Sequence, residues 1–141
     1  MQLIFCKEWR CFDVSDDLFE ILTKTAESLP NTDAEVEAIT FSYRDPEYSP
    51  EQGGFHPVEI RLFRSADGWQ FDYITDFSYQ GAHGMYELVK ELDFLFGAET
   101  AYHLYRGEHS AEEASGLFQL WQDNFISYVR MDVFQLEVSH F

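Results

Sequence analysis

The sequence contains few cysteines and no long apolar stretch. Its two cysteines, Cys6 and Cys11, have a spacing that fits neither the common zinc motifs nor the Cys-x-x-Cys redox motif, so we expect two free thiols. No stretch approaches the roughly 18 consecutive apolar residues that a membrane-spanning helix needs. The apolar stretch Leu3–Phe5 is short and is followed by charged residues, unlike a signal peptide. The sequence therefore predicts a soluble, cytoplasmic protein.

Basic residues are also scarce. Lys and Arg number 9 against 26 Asp and Glu, which gives a formal net charge of −17. Proteins bind phosphate backbones by neutralising them with Lys and Arg, so we expect no binding to nucleic acid or to anionic membranes. The acidic residues are scattered along the chain. They form either a solvated surface that keeps the protein soluble, or a surface that docks a basic partner or mimics nucleic acid.

Aromatic residues, in contrast, are abundant. They make up 18% of the 141 residues, and hydrophobic residues make up 45%. This length is typical of one domain, so we predict a single globular domain over residues 1–141. Because each buried aromatic side chain removes about 150–250 Å² from water, we expect the aromatics to form the main body of its core.

The spacing of apolar and polar residues in the first half of the sequence predicts one helix and three strands. An apolar stripe behind the capping residue Ser15 predicts a helix from about Ser15 to Leu29. Asp67-Gly68 is typical of a hairpin turn. Alternating apolar and polar residues predict strands at Ile39–Arg44, Val58–Phe63 and Trp69–Phe77.

The second half predicts two helices and a closing strand. Gly81–Gly84 is interpreted as a strand-to-helix turn before a helix at Met85–Phe96, and Glu99–Arg106 is ambiguous. The capping-box pattern that begins at Ser110 predicts another helix, and Phe134–Val138 predicts the last strand. The predicted fold is α+β, in the order α-β-β-β-α-α-β. Its four-stranded, mostly antiparallel, roll-like sheet has helices packed on one face.

Residues 43–61 hold most of the candidate site residues. Arg44 and Arg61 alternate toward the wetter face of the predicted sheet, and we expect Asp72 and Asp76 to share that face. Two arginines with His56 nearby could bind a carboxylate or a phosphate, since guanidinium groups bind both in bidentate fashion. The candidate ligand-binding residues are Arg44, Asp45, Tyr48, His56, Glu59, Arg61 and Asp76.

A structural role explains the same residues. Arg44 could pair with Asp72 or Asp76, and Arg61 with Glu59 or another acid across the sheet. Glycines and prolines would then shape a tight loop before the second strand. The sequence favours this structural interpretation and leaves the binding interpretation open.

His56 could also act as a general base or as a metal ligand. A base needs a nucleophile and an orienting acid, for which Ser49 and Asp45 are the nearest candidates, but no nucleophile-elbow motif is present. A metal site could use His56 with Asp45 and Asp76, yet the other histidines have no ligand spacing. We therefore expect a histidine held by backbone hydrogen bonds, with no metal, cofactor or catalytic residue.

The residues of this segment also carry a resemblance to a known family. They are Phe41, Arg44–Pro46, Tyr48-Ser49, Gly53–Arg61, Trp69, Phe71, Tyr73–Phe77, Tyr79 and Leu92–Phe94. The sequence resembles the small bacterial family called domain of unknown function 2787 over nearly its whole length. The resemblance implies a compact α+β roll in a bacterial cytoplasm. It implies no activity, cofactor or catalytic residue.

Three functions are compatible with these features. The first is a non-enzymatic protein-binding domain, whose partner is another protein or a second copy of the chain. The second is a small-anion or hydrolytic site on the sheet around Arg44, His56 and Arg61. The third is an acidic mimic of nucleic acid. The aromatic content and the acidic surface favour the first.

Overall fold

The chain folds into two helices and a seven-stranded antiparallel sheet. The computed structural model describes residues 1–8, 10–30 and 35–141. The elements are α1 Asp16–Glu27, β1 Ala38–Arg44, β2 Val58–Ser65, β3 Gly68–Ala82, β4 Met85–Leu95, β5 Thr100–His103, β6 Gly107–Ser110, α2 Ser115–Arg130 and β7 Gln135–His140. This architecture is α+β, as the sequence predicted.

The sheet is open and has the strand order β6-β5-β4-β3-β2-β1-β7. Strands β1 to β6 follow one another as antiparallel neighbours, and β7 returns after α2 to pair with β1. The two edges of the sheet are therefore β6 and β7. The long β3–β4 pair lies near its middle.

One face of the sheet, here called the inner face, packs against both helices. Helix α1 begins after Ser15, whose side chain caps the Leu18 amide at 3.3 Å. Helix α2 supplies Phe118, Trp121 and Phe125. The inner face supplies Ile39, Phe41, Tyr43, Val58, Ile60, Ile74 and Phe94 to the same hydrophobic cluster. The opposite, outer face carries Thr40, Glu59, Arg61 and Tyr73.

The helix predicted over residues 85–96 is wrong, because this segment is strand β4. The turn before it explains the error. His83 and Gly84 both have positive φ values, 57° and 77°, as a two-residue type I′ hairpin turn requires. Residues 85–95 therefore pair with β3. Cross-strand hydrogen bonds thus override a local pattern that also suits a helix.

The predicted four-stranded sheet and element order are also wrong in detail. The ambiguous segment at residues 99–106 contains β5, and β6 follows it, so the sheet has seven strands. The capping box at Ser110 does form, since the Ser110 hydroxyl accepts from the Glu113 amide at 3.1 Å. It closes a turn, however, and α2 begins later, at Ser115.

Neither helix is long and apolar enough to cross a membrane in the part of the chain that the structure describes.

Candidate functional site

A cleft opens between the inner face of the sheet and helix α2. Its volume is about 330 Å³. Asn124 adds a polar group to its walls, which are otherwise mostly apolar and include Phe55, Leu117, Leu120, Trp121, Tyr128 and Phe134. Its polar end is formed by His56, Asp76 and Glu91. A largely apolar cleft with a few converging polar groups is the usual form of a binding site.

Asp76 lies on the inner face, which is an unusual place for a carboxylate. Its side chain is 12% exposed. One carboxylate oxygen is 2.8 Å from His56 Nδ1, and the other accepts a hydrogen bond from Trp121 Nε1 at 3.0 Å. Buried charges need such partners, because losing water without replacement is costly. The two contacts hold the carboxylate at the end of the cleft.

A β-bulge explains why Asp76 points inward. The pairing of β2 with β3 shifts at Arg61/Leu62, which leaves Asp72 without a partner in β2. A shift of one residue moves every later side chain to the other face of the sheet. Strict alternation from Trp69 predicts Asp76 on the wetter face with Asp72. The structure places Asp76 opposite to that prediction, whereas Asp72 stays on the outer face and contacts Arg61.

His56 bridges the two acids of the cleft. Its Nδ1 atom is 2.8 Å from Asp76 Oδ1 and 3.6 Å from Glu91 Oε2. The hydrogen bond to Asp76 raises the pKa of His56, burial opposes that shift, and the charges of Asp76 and Glu91 add to it. We expected backbone hydrogen bonds to hold this histidine, and that expectation is wrong, because a carboxylate holds it instead.

Glu91 enters the site through a second β-bulge. Asp76 pairs with Leu92 and Phe77 pairs with Lys90, so Glu91 has no partner in β3. Bulges often re-aim a side chain beside a functional site, and this one turns Glu91 toward Asp76. The Glu91 side chain is 26% exposed. Its carboxylate accepts no hydrogen bond from any residue that the structure describes, and His56 is its nearest cationic group.

The loop between β1 and β2 positions His56. Asp45 accepts hydrogen bonds from the Glu47 amide at 2.9 Å and from the Phe55 amide at 3.0 Å, and so joins the two ends of the loop. Gly54 has a φ of +133°, and a Cβ there would lie 2.8 Å from the Asp45 carboxylate. Any larger residue at this position would disturb the loop just before His56.

Tyr48 supports the same loop from the opposite side. Its hydroxyl accepts a hydrogen bond from the Tyr79 amide at 3.0 Å, and its ring lies 5.4 Å from the His56 ring. Burial raises the pKa of the Tyr48 hydroxyl. Tyr48 therefore packs beside His56 and does not itself line the cleft.

The remaining candidate residues lie on the outer face. Arg61 Nε is 3.4 Å from Asp72 Oδ2, and the Tyr73 hydroxyl donates to Glu59. Burial raises the pKa of Tyr73, and the bond to Glu59 adds to the shift. Arg44 is exposed and makes no ion pair with any described residue. The expected arrangement, with Arg44 and Arg61 grouped around His56, is therefore absent.

The profile of a family described as protein of unknown function (DUF2787) matches residues 16–139. The chain belongs to this family. A solved hypothetical protein from the VSP-II pathogenicity island of Vibrio cholerae is 31% identical, with a TM-score of 0.83, and the alignment covers 94% of this chain and 98% of that one. No curated protein matches the sequence.

A second solved relative is a conserved hypothetical protein from pathogenicity island VPI-2 of Vibrio cholerae O1 biovar eltor. It is 33% identical, with a TM-score of 0.76, over 94% of this chain and 98% of that one. That protein is described as sharing structural homology with the human P32 protein. Both likenesses support the α+β fold of this chain, and both relatives are described as hypothetical proteins.

The chemistry of the cleft follows from its three polar groups. One donor atom each from His56, Asp76 and Glu91 lies within 4.8 Å of the other two, close enough to hold a metal ion. Asp45, the third ligand considered from sequence, instead bonds to loop amides. No hydroxyl or thiol among the described residues is hydrogen-bonded to His56, so the structure offers it no side-chain nucleophile to activate.

Two residues of the site escaped sequence reasoning. Glu91 was placed in a helix, and nothing in the sequence marks the bulge that turns it inward. The helical spacing of Trp121 with Phe118 and Phe125 predicts only a core residue, and Trp121 is buried. A buried indole N–H usually needs an acceptor, and that requirement was the one signal that pointed to a polar group beneath α2.

Proposed function

We propose that this DUF2787 protein is a non-enzymatic binding domain that docks a protein partner in the cleft between the sheet and α2. The observation that carries this proposal is Glu91. Its side chain is 26% exposed and lines a largely apolar cleft, yet no described residue donates a hydrogen bond to its carboxylate. A charge kept in that position destabilises the fold unless something binds it.

The two bulges strengthen the argument. Each interrupts regular pairing in the middle of the sheet, and together they place Asp76 and Glu91 at one end of one cleft. An apolar residue in place of Glu91 would need no hydrogen-bond donor. Functional sites often retain groups that reduce stability, and Glu91, which has no hydrogen-bond donor among the described residues, fits that pattern.

The geometry supports binding better than the alternatives. A small-anion site would need the arginines near His56, but Arg61 pairs with Asp72 on the outer face. Two carboxylates at the end of the cleft would also repel an anion. Covalent catalysis would need a side-chain nucleophile at His56, and no hydroxyl or thiol of a described residue is hydrogen-bonded to it.

Affinity capture with a cleft variant tests the proposal. Leu120 lies at the rim of the cleft and is 61% exposed, whereas Met131 is 58% exposed beyond the end of α2 and outside the cleft. We compare proteins captured from a lysate of the native host by wild type, Leu120→Glu and Met131→Glu. The proposal predicts a protein that wild type and Met131→Glu retain and Leu120→Glu loses. Identical capture by all three would contradict it.

A further inference from the structure

Building on the proposed function, we infer that the docked partner segment is basic and inserts an arginine side chain against Glu91 and Asp76. The cleft combines charged and apolar surface, as such a side chain does. The two carboxylates lie close together in its lining, and most of the other lining side chains are apolar or aromatic. An arginine side chain likewise carries a charged head group on an apolar stem.

The unmet hydrogen-bonding capacity at the polar end matches a guanidinium. The Glu91 carboxylate accepts no hydrogen bond from the described residues, so its oxygens are available. Asp76 already binds His56 and Trp121 and adds negative charge behind Glu91. Guanidinium groups donate paired hydrogen bonds to carboxylates in a planar fork. The partner thus supplies the donors that Glu91 lacks.

The size and lining of the cleft distinguish an arginine from a metal ion. A volume of about 330 Å³ equals the share of roughly ten water molecules in the liquid, far more than one ion occupies. Most of that space lies against apolar walls. Aromatic rings favour a guanidinium further, because it stacks on their faces. Trp121, Phe55 and Tyr128 line the cleft, and the Phe55 and Tyr128 rings are 4.7 Å apart.

The net charge of the whole chain also favours a basic partner. A net charge of −17 attracts basic segments at long range and repels acidic ones. This attraction does not depend on any single carboxylate. The cleft therefore has to be tested with variants that change the net charge equally and differ only in location.

Isothermal titration calorimetry with two matched peptides tests the inference. The probes are acetylated, amidated leucine–arginine–leucine and the same peptide with citrulline, which has nearly the same shape and no charge. We expect the arginine peptide to bind wild type with a Kd of about 1 mM or tighter, and the citrulline peptide at least about tenfold more weakly. Equal affinities, or no binding by either peptide, would overturn the inference.

Two variants with the same charge change locate the binding. Glu91→Gln removes the carboxylate from the cleft, and Glu87→Gln removes an exposed one from the same strand. We expect Glu91→Gln to lose the preference for arginine and Glu87→Gln to keep it. Thermal melting establishes first that both variants fold. Equal losses in the two variants would show general attraction to the acidic surface and would overturn the inference.

Zn²⁺ and Mg²⁺, titrated alone, test the competing occupant. Metal binding that Glu91→Gln abolishes, without arginine-peptide binding, would assign the carboxylates to a metal and overturn the inference. Together with the capture experiment, the peptide titrations distinguish failure of the docking proposal from failure of the arginine inference. A partner that Leu120→Glu loses, combined with no arginine selectivity, would leave the docking function standing and reject arginine as the inserted group. No cleft-dependent partner and no peptide binding would reject both.

Discussion

The charged residues on the two faces of the sheet differ in how completely they are paired. On the outer face, Arg61 contacts Asp72 and Glu59 accepts a hydrogen bond from Tyr73, so acids have partners from neighbouring strands. On the inner face, Asp76 has partners but Glu91 has no hydrogen-bond donor among the described residues. The outer pairs need nothing further. The inner face keeps a carboxylate without a hydrogen-bond donor from the described residues, and the proposed docking site rests on that difference.

The alternation of apolar and polar residues in the sequence does not distinguish charged residues with a structural role from those of the candidate site. Arg61 and Asp76 sit on adjacent strands in a segment that the sequence treats as one motif. A single bulge sends them to opposite faces. Structural ion pairs and a candidate site therefore arise from the same stretch of chain.

The largest expected effect comes from Asp76→Ala. The change leaves the buried Trp121 indole N–H without an acceptor and removes the partner of His56. We expect a loss of about 2–3 kcal/mol in the free energy of unfolding, the usual range for orphaning buried polar groups. Urea denaturation monitored by circular dichroism measures it.

Asp72→Ala is the matched control on the outer face. Its side chain is 46% exposed, so we expect a loss below about 1 kcal/mol, as for other exposed ion pairs. If the two alanine variants were equally stable, the distinction between the faces would fail.

The next effect is a pH dependence that only the inner face should show. The pKa of His56 in the folded protein lies above its ordinary value of 6.5. The contact with Asp76 therefore stabilises the fold fully below that ordinary value, and this contribution is lost as the pH rises through the folded pKa. The difference in unfolding free energy between wild type and His56→Gln should shrink across that rise.

The other histidines are the same in both proteins, so their contributions cancel in this difference. Urea denaturation of both proteins at several pH values between about 5.5 and 8.5 brackets the histidine range. A difference that stays constant, or that grows with pH, would show that His56 is not stabilised in its charged form by Asp76.

A smaller effect of opposite sign is expected for Glu91→Gln. The change removes a carboxylate that accepts no hydrogen bond from the described residues and that lies near Asp76. The variant no longer buries a charge at position 91 or places it near the Asp76 carboxylate. We therefore expect the free energy of unfolding to stay unchanged or to rise by up to about 1 kcal/mol, as is common when a binding-site residue is replaced. Chemical denaturation above the titration range of His56 isolates this effect. A clear loss of stability there would identify Glu91 as a structural residue.

The smallest effect is expected for Arg44→Ala. Arg44 is exposed, opposite Gln135 of β7, and it makes no ion pair with a described residue. Exposed positions of this kind usually change stability by no more than about 0.5 kcal/mol. Thermal melting should therefore superimpose on wild type. A marked drop in melting temperature would restore the interpretation of Arg44 as part of a structural network.

Much of the fold could be predicted from the sequence. Helix α1, strands β1 to β3, the turn at Asp67-Gly68 and the last strand follow from local periodicity and capping. Their bounds lie within two residues of the predicted ones, except that β3 continues to Ala82, five residues beyond the predicted end. The second half could not be predicted in the same way. The sequence of residues 85–95 fits a helical pattern. These residues form a strand because the tight turn at His83 and Gly84 places them beside β3, with which they pair.

The site was less predictable than the fold. His56 and Asp76 were named as candidates, because histidine and acid in one dense motif suggest chemistry. Their contact was not foreseen, since a bulge at Asp72 reverses the face of Asp76. Glu91 depends on a second bulge in a strand that the sequence presents as a helix. Bulges are set by pairing between distant segments, and local patterns do not encode them.

The most direct test of the account follows the indole N–H of Trp121, which donates to Asp76 inside the cleft. In a nitrogen–proton correlation spectrum, this signal is assigned by its loss in Trp121→Phe. Titration with the leucine–arginine–leucine peptide should shift it progressively, while the citrulline peptide leaves it in place. An indole signal that stays fixed with both peptides, or moves equally with both, would contradict the claim that the cleft binds a basic side chain at its carboxylates.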